Sequence, residues 1–275
     1  MTDKPVWTVE QIVAQLTNWG DAWSTAMPVS YSFFEQPPAY LGPTPPGFSA
    51  FSAAQRLSLA RSMELIADVA NISFVNVADN GLEPGAGNER LSLYNINYAN
   101  APFWGALVAL PTDDSAEPLD RILGGEIVVN QYRAAVQGNW GYGDSNSHKL
   151  MHELLHAVGL DHPGPYNGDT ADYESQALFL QDSVQYTVMS YWAASKTGAD
   201  HENDGRFWFG ATPLLYDVAA LQALYGANMS TRTGDTTYGF NANAGRDVFD
   251  LTLNPNAIFT IWDAGGTDRL DLSGF

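Results

Sequence analysis

Segment 152–162 limits the possible folds of this chain more than any other part, because it contains three histidines and a glycine at regular spacing. His152 and His156 are four residues apart, so on an α-helix they share one face, with Cβ atoms about 5–6 Å apart. Gly159 tolerates the positive φ that ends a helix, so the chain can turn back and His162 can approach the same point. The segment therefore predicts a helix whose end folds back to bring three imidazoles together.

Three converging imidazoles predict a metal centre, and zinc suits them. Zinc binds imidazole nitrogen at about 2.0–2.1 Å, and three protein ligands with an open fourth position are typical of a catalytic site. Glu153 follows His152 directly, so its carboxylate would lie beside the ion and could take a proton from a bound water. Asp161 is a candidate to orient one imidazole, although a different role is equally open. A buried core histidine would explain any one of these residues, but not the whole pattern.

Composition excludes several other kinds of site and partner. The chain has no cysteine, which excludes disulfides, thiolate ligands and a cysteine nucleophile. Its formal charge of −19 disfavours nucleic acid and anionic membrane surfaces and favours cations. No apolar run reaches the roughly 18 residues of a spanning helix. The N-terminus also lacks the basic start and apolar core of a signal peptide. We therefore expect no nucleic-acid or membrane partner.

Hydrophobic periodicity predicts a chain that mixes helices and strands. Two helices have capping-box starts, with Thr8 paired to Gln11 and Ser52 paired to Gln55, and the apolar stripe of the first continues to Trp23. The second helix is expected to end near residue 71. The other expected elements are helices from 144–147 to 159 and over 213–226, and strands at 28–35, 72–78, 90–96, 105–110 and 126–130.

The amino-acid composition and the hydrophobic pattern of the chain change near Gly226. Residues 227–275 are rich in Gly, Asn, Asp and Thr, with short apolar alternations and no helical stripe. We therefore predict two units, residues 1–226 and residues 227–275.

The spacing HExxHxxGxxH over 152–162 resembles that of the metzincin metalloproteases. Within the metzincins, the residue after the third histidine differs between subfamilies. Here it is Pro163, and a proline at this position resembles the serralysins, which are secreted bacterial metalloproteases with a calcium-binding repeat domain. Segment 187–192 resembles the Met-turn of this family, and similar segments lie at 51–55, 67–75, 213–228 and 231–241. The resemblance implies an α+β (α/β-like) fold. It would comprise a metzincin catalytic domain with a twisted mixed sheet, an active-site helix and a helical lower subdomain, followed by the start of a β-roll.

The resemblance also implies roles for residues outside the histidine segment. Met189 would form a hydrophobic floor beneath the metal, and Tyr191 would bind zinc in the resting enzyme and swing out to bond the transition state. An edge strand within 104–111 would receive an extended substrate, with an ordinary interior strand as the alternative. Its expected substrate-binding residues are Trp104, Gly105, Ala106, Leu107 and Val108.

A structural calcium site is implied for segments 231–236 and 263–268. The second segment resembles one imperfect unit of a calcium-binding nonapeptide repeat. Turns that bind no ion are the alternative. The positions that match the family's calcium ligands are Arg232, Gly234, Thr236, Asp263, Gly265, Gly266 and Asp268.

The implied function is that of a zinc-dependent endopeptidase acting on protein or peptide substrates, with one zinc ion and with Glu153 as general base. We expect a secreted monomer whose export signal lies beyond residue 275, and a proteinaceous inhibitor is a further candidate partner. A fragment and a naturally short relative both remain open. The alternative functions are those of another metzincin subfamily, or of a non-catalytic protein that keeps a metal for structure or partner binding.

Overall fold

The computed structural model describes residues 4–20, 22–37, 47–81, 91–97, 125–132, 138–167 and 172–275, together with the backbone of 106–109. The predicted helices and strands are found there, with ends shifted by a few residues. The helices are α1 Val9–Leu16, α2 Ala53–Val69, α3 Ser145–Ala157, α4 Tyr173–Gln176 and α5 Leu215–Tyr225. The strands are β1 Val29–Phe33, β2 Phe74–Asn76, β3 Leu91–Ile96, β4 Ala106–Ala109, β5 Glu126–Asn130, β6 Glu202–Asn203, β7 Arg206–Phe207, β8 Thr237–Gly239 and β9 Arg269–Asp271.

Both predicted capping boxes are confirmed. In α2 the Ser52 hydroxyl accepts from the Gln55 backbone N–H at 3.3 Å, and the Gln55 side chain accepts from the Ser52 N–H at 2.9 Å. The start of α1 has the same reciprocal pair. The prediction that the first helix continues to Trp23 is wrong, because α1 ends at Leu16 and the chain turns through Gly20, which has a φ of 74°.

The main sheet is mixed, as expected. Its strand order is β2-β1-β3-β5-β4, with parallel pairing except between β4 and β5, which are antiparallel. Every residue of β3 and β5 is buried, so these strands form the interior of the sheet. Among the strands that the structure describes, β4 lies at one end of this order.

The helices pack into one core with the sheet. Helix α2 contacts both α3 and α5, and α1 contacts α5. Leu59 of α2, Leu93 of β3 and Leu154 of α3 are completely buried members of the same apolar cluster. None of the helices in the described ranges combines the length and the apolar character needed to cross a membrane.

Residues 227–275 pack against the rest of the chain. Val248 and Phe249 belong to the main apolar cluster, and β8 pairs in parallel with β9. A partly buried ionic group that we call the Asp68 cluster joins this segment to α2. The Asp68 carboxylate lies 2.9 Å from the guanidinium of Arg232 and 2.9 Å from that of Arg246. The contact between the segment and α2 is therefore ionic as well as apolar.

Candidate metal centre

Helix α3 and the turn that follows it bring three histidines together. His152 and His156 share a face of α3, which ends at Ala157, and Gly159 adopts a φ of 101° that returns the chain towards the helix. The Nε2 atom of His162 lies 3.2 Å from Nε2 of His152 and 3.0 Å from Nε2 of His156. All three side chains are buried, and together they offer one nitrogen each to a single metal ion.

Backbone carbonyls orient two of these rings. Nδ1 of His152 lies 2.9 Å from the carbonyl oxygen of Val188, and Nδ1 of His156 lies 2.7 Å from that of Leu160. Because a carbonyl only accepts, each Nδ1 carries the proton and each Nε2 presents its lone pair to the shared point. These are the ring orientations that a metal ion requires.

The electrostatic surroundings also favour neutral rings. Burial lowers the pKa of His152 to about 4 and that of His162 to about 3, and His152 adds to the second effect. Burial likewise lowers the pKa of His156 well below its ordinary value. The imidazoles are therefore unprotonated at neutral pH, which is the form that binds metal. The donor set fits a divalent ion that prefers nitrogen.

Aromatic side chains surround the three histidines. The ring of Tyr191 is centred 4.9 Å from that of His162, and Tyr191 is 39% exposed. Tyr166 packs against both rings, with its centre 4.9 Å from that of Tyr191 and 5.4 Å from that of His162. The indole ring of Trp19 is centred 5.1 Å from the imidazole of His156. Among the described residues, these aromatic side chains line the centre, and Tyr191 is the partly exposed member of the group.

The other residues predicted around the centre occupy different positions. Glu153 is half-buried on α3, and Met189 is completely buried in the main core. The Asp161 carboxylate accepts from the backbone N–H of His162 at 2.6 Å, so this contact holds the main chain of the third histidine. Of the expected substrate strand, residues 106–108 lie in β4, whereas Trp104 and Gly105 fall outside the described residues.

The two segments expected to bind calcium lie side by side. The Asp268 carboxylate accepts from the backbone N–H of Thr236 at 3.0 Å, and the Asp235 carboxylate accepts from that of Thr267 at 2.9 Å. Arg232, at a φ of 49°, provides a sharp turn in the first segment. The contacts bring the backbone of 231–236 against that of 263–268.

Two buried carboxylates hold segment 187–192, and neither is among the residues predicted for the site. Asp217 accepts from the Val188 N–H at 2.8 Å and from the Thr187 hydroxyl at 2.5 Å. Asp182 accepts from the Ser190 hydroxyl at 2.7 Å. These hydrogen-bond partners lie up to 30 positions away in the chain. A pattern of closely spaced residues therefore cannot predict the role of either carboxylate.

A mixed α/β domain with three converging, neutral imidazoles defines a candidate metalloprotein. Residues 227–275 match the family described as Peptidase M10 serralysin C terminal. Over 99% of its length the chain is 34% identical to metalloprotease AprA of Pseudomonas entomophila and 35% identical to serralysin B of Dickeya chrysanthemi. It covers 55% and 56% of these two relatives, so it spans about half of their length. The chain is thus similar over almost its whole length to proteins named as serralysins and metalloproteases, which confirms its resemblance to the serralysin-type metalloproteases.

Proposed function

We propose that the chain is a zinc-dependent endopeptidase that hydrolyses peptide bonds in protein substrates. The observation that carries this proposal is the convergence of the Nε2 atoms of His152, His156 and His162. Glu153 directly follows the first of these histidines on α3. The similarity to proteins named as metalloproteases supports the same reading. In this proposal the three histidines hold one zinc ion, and Tyr191 is a fourth ligand in the resting state.

The side chains of the site would divide the reaction between them. Zinc, when bound, would lower the pKa of a coordinated water towards about 7 and polarise the scissile carbonyl. Glu153 would accept a proton from the attacking water and pass it to the leaving amine. The hydroxyl of Tyr191 would donate to the oxygen that becomes negative in the transition state. Met189 would close the apolar floor of the site.

The substrate would bind as an extended peptide along β4. This strand pairs with β5 in antiparallel fashion and lies at one edge of the sheet formed by the described strands. Its unpaired side therefore suits β-strand addition. Main-chain hydrogen bonds would then supply most of the affinity. The contacts are proposed for Trp104, Gly105, Ala106, Leu107 and Val108.

We also propose a structural calcium site between segments 231–236 and 263–268. Calcium takes six to eight oxygen ligands, many of them backbone carbonyls. The segments lie against each other and contain the carboxylates of Asp263 and Asp268. The proposed ligands are Arg232, Gly234, Thr236, Asp263, Gly265, Gly266 and Asp268.

The organisation of the whole protein follows from the same proposal. Residues 1–226 would form the protease domain, and 227–275 would begin a calcium-binding β-roll. We propose a secreted monomer with protein substrates, for which a proteinaceous inhibitor is a further partner.

Casein hydrolysis by this chain, with the zinc content of the same sample measured by mass spectrometry, tests the proposal. We expect activity with about one zinc per chain.

Glu153→Gln should keep the zinc and lose about 10²–10⁴-fold in kcat, because it removes the general base. Glu174→Gln changes an exposed carboxylate of α4 and serves as the matched control. Undiminished turnover by Glu153→Gln would overturn the mechanism. A zinc-loaded but inactive wild-type chain, at any calcium concentration, would favour the non-catalytic alternative.

A further inference from the structure

Asp182 is a completely buried carboxylate, nine positions before the partly exposed Tyr191 in the chain. It accepts hydrogen bonds from the hydroxyl of Tyr166 at 2.9 Å, from the hydroxyl of Ser190 at 2.7 Å and from the indole Nε1 of Trp192 at 3.0 Å. Three donors on one buried carboxylate compensate for its removal from water. Asp182 therefore ties three separate side chains to one point.

Two of these donors flank Tyr191 in the chain. The Ser190 hydroxyl, which donates to Asp182, also accepts from the backbone N–H of Trp192 at 3.1 Å. The main chain is thus held on both sides of Tyr191 by bonds that converge on one carboxylate. Because Ser190 and Trp192 are both fixed in this way, the backbone of Tyr191 between them has few accessible conformations.

The third donor holds the ring that packs against Tyr191. The ring of Tyr166 is centred 4.9 Å from the ring of Tyr191 and 5.4 Å from that of His162. Its hydroxyl is anchored to Asp182, so the ring cannot rotate away without breaking that bond. One carboxylate consequently fixes both the main chain of Tyr191 and the aromatic surface against which Tyr191 rests.

We propose that Asp182 is a positioning residue for Tyr191, holding its phenol beside the three-histidine centre. The catalytic part of this inference rests on the proposed function, in which Tyr191 donates to the transition state. Misplacement of a reacting group by about 1 Å can cost on the order of 10²-fold in rate. Because the contact to Tyr191 would be made in the transition state, loss of Asp182 should lower kcat and leave KM nearly unchanged.

A double-mutant cycle with Tyr191→Phe separates positioning from a general structural role. Asp182→Ala should lower kcat by about 10–100-fold in the wild-type background, with KM changed by less than about twofold. In the Tyr191→Phe background the same substitution should change kcat by less than about twofold, because there is no hydroxyl left to position. Equal losses in the two backgrounds would overturn the proposal. Asp172→Asn, at an exposed carboxylate ten positions earlier, is the control and should leave kcat unchanged.

A second readout needs neither activity nor metal. In the metal-free chain, hydrogen exchange of residues 184–192 should accelerate about tenfold or more in Asp182→Ala, with α5 unchanged and with no change in Asp172→Asn. Unchanged exchange in this segment would overturn the positioning role. If Asp182→Ala does not fold, Ser190→Ala removes one of the three hydrogen bonds to Asp182. It should also lower kcat and accelerate exchange in residues 184–192, but by smaller factors. A wild-type chain without hydrolytic activity would refute the proposed function, while the exchange result would still decide whether Asp182 orders the segment around Tyr191.

Discussion

The hydroxyl of Tyr225 donates a hydrogen bond of 2.6 Å to the backbone carbonyl of Val158. Val158 directly follows the last residue of α3, where a helix leaves carbonyls without intrahelical partners. The indole Nε1 of Trp23 donates to the neighbouring carbonyl of Ala157 at 2.7 Å. Side chains from two distant segments therefore cap the helix that carries two of the three histidines.

Tyr225→Phe should destabilise the protein by removing one of these caps. A buried carbonyl left without a partner costs about 1–3 kcal/mol, and we expect the free energy of unfolding to fall by that amount. Urea denaturation of the metal-free chain measures it. Tyr132→Phe, at a tyrosine that is 50% exposed, should change stability by less than about 0.5 kcal/mol. Equal stabilities of the two variants would contradict the capping role.

Gly266→Ala should destabilise the turn that we assign to calcium. Gly266 has a φ of 121°, and a Cβ added there would lie 2.4 Å from the carbonyl oxygen of Gly234. We expect a loss of about 1–3 kcal/mol from strain, together with a smaller rise in melting temperature when calcium is added. Thermal unfolding with calcium and with a chelator tests both effects.

The neighbouring glycine is the matched control for that substitution. A Cβ at Gly265 would have its nearest atom, the carbonyl oxygen of Thr233, at 3.6 Å, which is an ordinary contact. Gly265→Ala should therefore retain most of the stability and of the calcium response. If both alanine variants behave alike, the close approach at Gly266 is not what limits the turn.

Asp68→Ala should weaken the attachment of residues 227–275 to α2. The substitution leaves Arg232, whose side chain is 10% exposed, without its carboxylate, and breaking a buried ion pair costs about 3–5 kcal/mol. Glu64→Gln removes a pair with Arg246 at a carboxylate that is 55% exposed, and should cost less than about 1 kcal/mol. Differential scanning calorimetry compares the two variants, and similar melting temperatures would refute a stabilising role of the Asp68 cluster.

Asp217 should make the stability of the protein depend on pH between about 4 and 6. Burial raises its pKa from an ordinary 3.8 to about 6, while three hydrogen bonds to the carboxylate act in the opposite direction. Between these values the folded chain holds a proton that the unfolded chain has released. The contribution of Asp217 is therefore complete below about pH 4 and is lost as the pH rises through 6.

The difference in unfolding free energy between wild type and Asp217→Asn isolates this contribution, because other groups titrate in both proteins. We expect that difference to fall by on the order of 3 kcal/mol from pH 4 to pH 7, measured by urea denaturation. A difference that does not vary with pH would mean that Asp217 keeps its ordinary pKa in the folded state.

Local spacing accounts for what could be predicted from the sequence. His152, His156 and His162 lie within one helix and one turn, so geometry over a few residues determines their convergence. The same holds for the capping boxes, which involve residues three positions apart. The end of α1 cannot be predicted in this way, because the apolar stripe continues past Gly20 to Trp23, whose indole caps α3 instead of extending α1.

Contacts between distant segments could not be predicted in this way. The order of the main sheet depends on parallel pairings such as that of β1 with β3, whose partners Tyr31 and Leu91 lie far apart in the chain. Asp182 and Asp217 look like ordinary acidic residues until the fold surrounds them with donors. Their importance is a property of tertiary packing, which no short pattern of residues encodes.

The Asp68 cluster has a consequence for recombination between relatives. Both arginines belong to the segment that matches the serralysin C-terminal family, whereas their carboxylate belongs to α2. The guanidinium of Arg232 also lies 5.0 Å above the ring of Phe249, so it has little access to water if the carboxylate is lost. A chimera that joins residues 1–226 to a foreign C-terminal segment must therefore place two cationic side chains where the guanidinium groups of Arg232 and Arg246 lie. If the foreign segment lacks them, Asp68 has to be substituted in the same chimera.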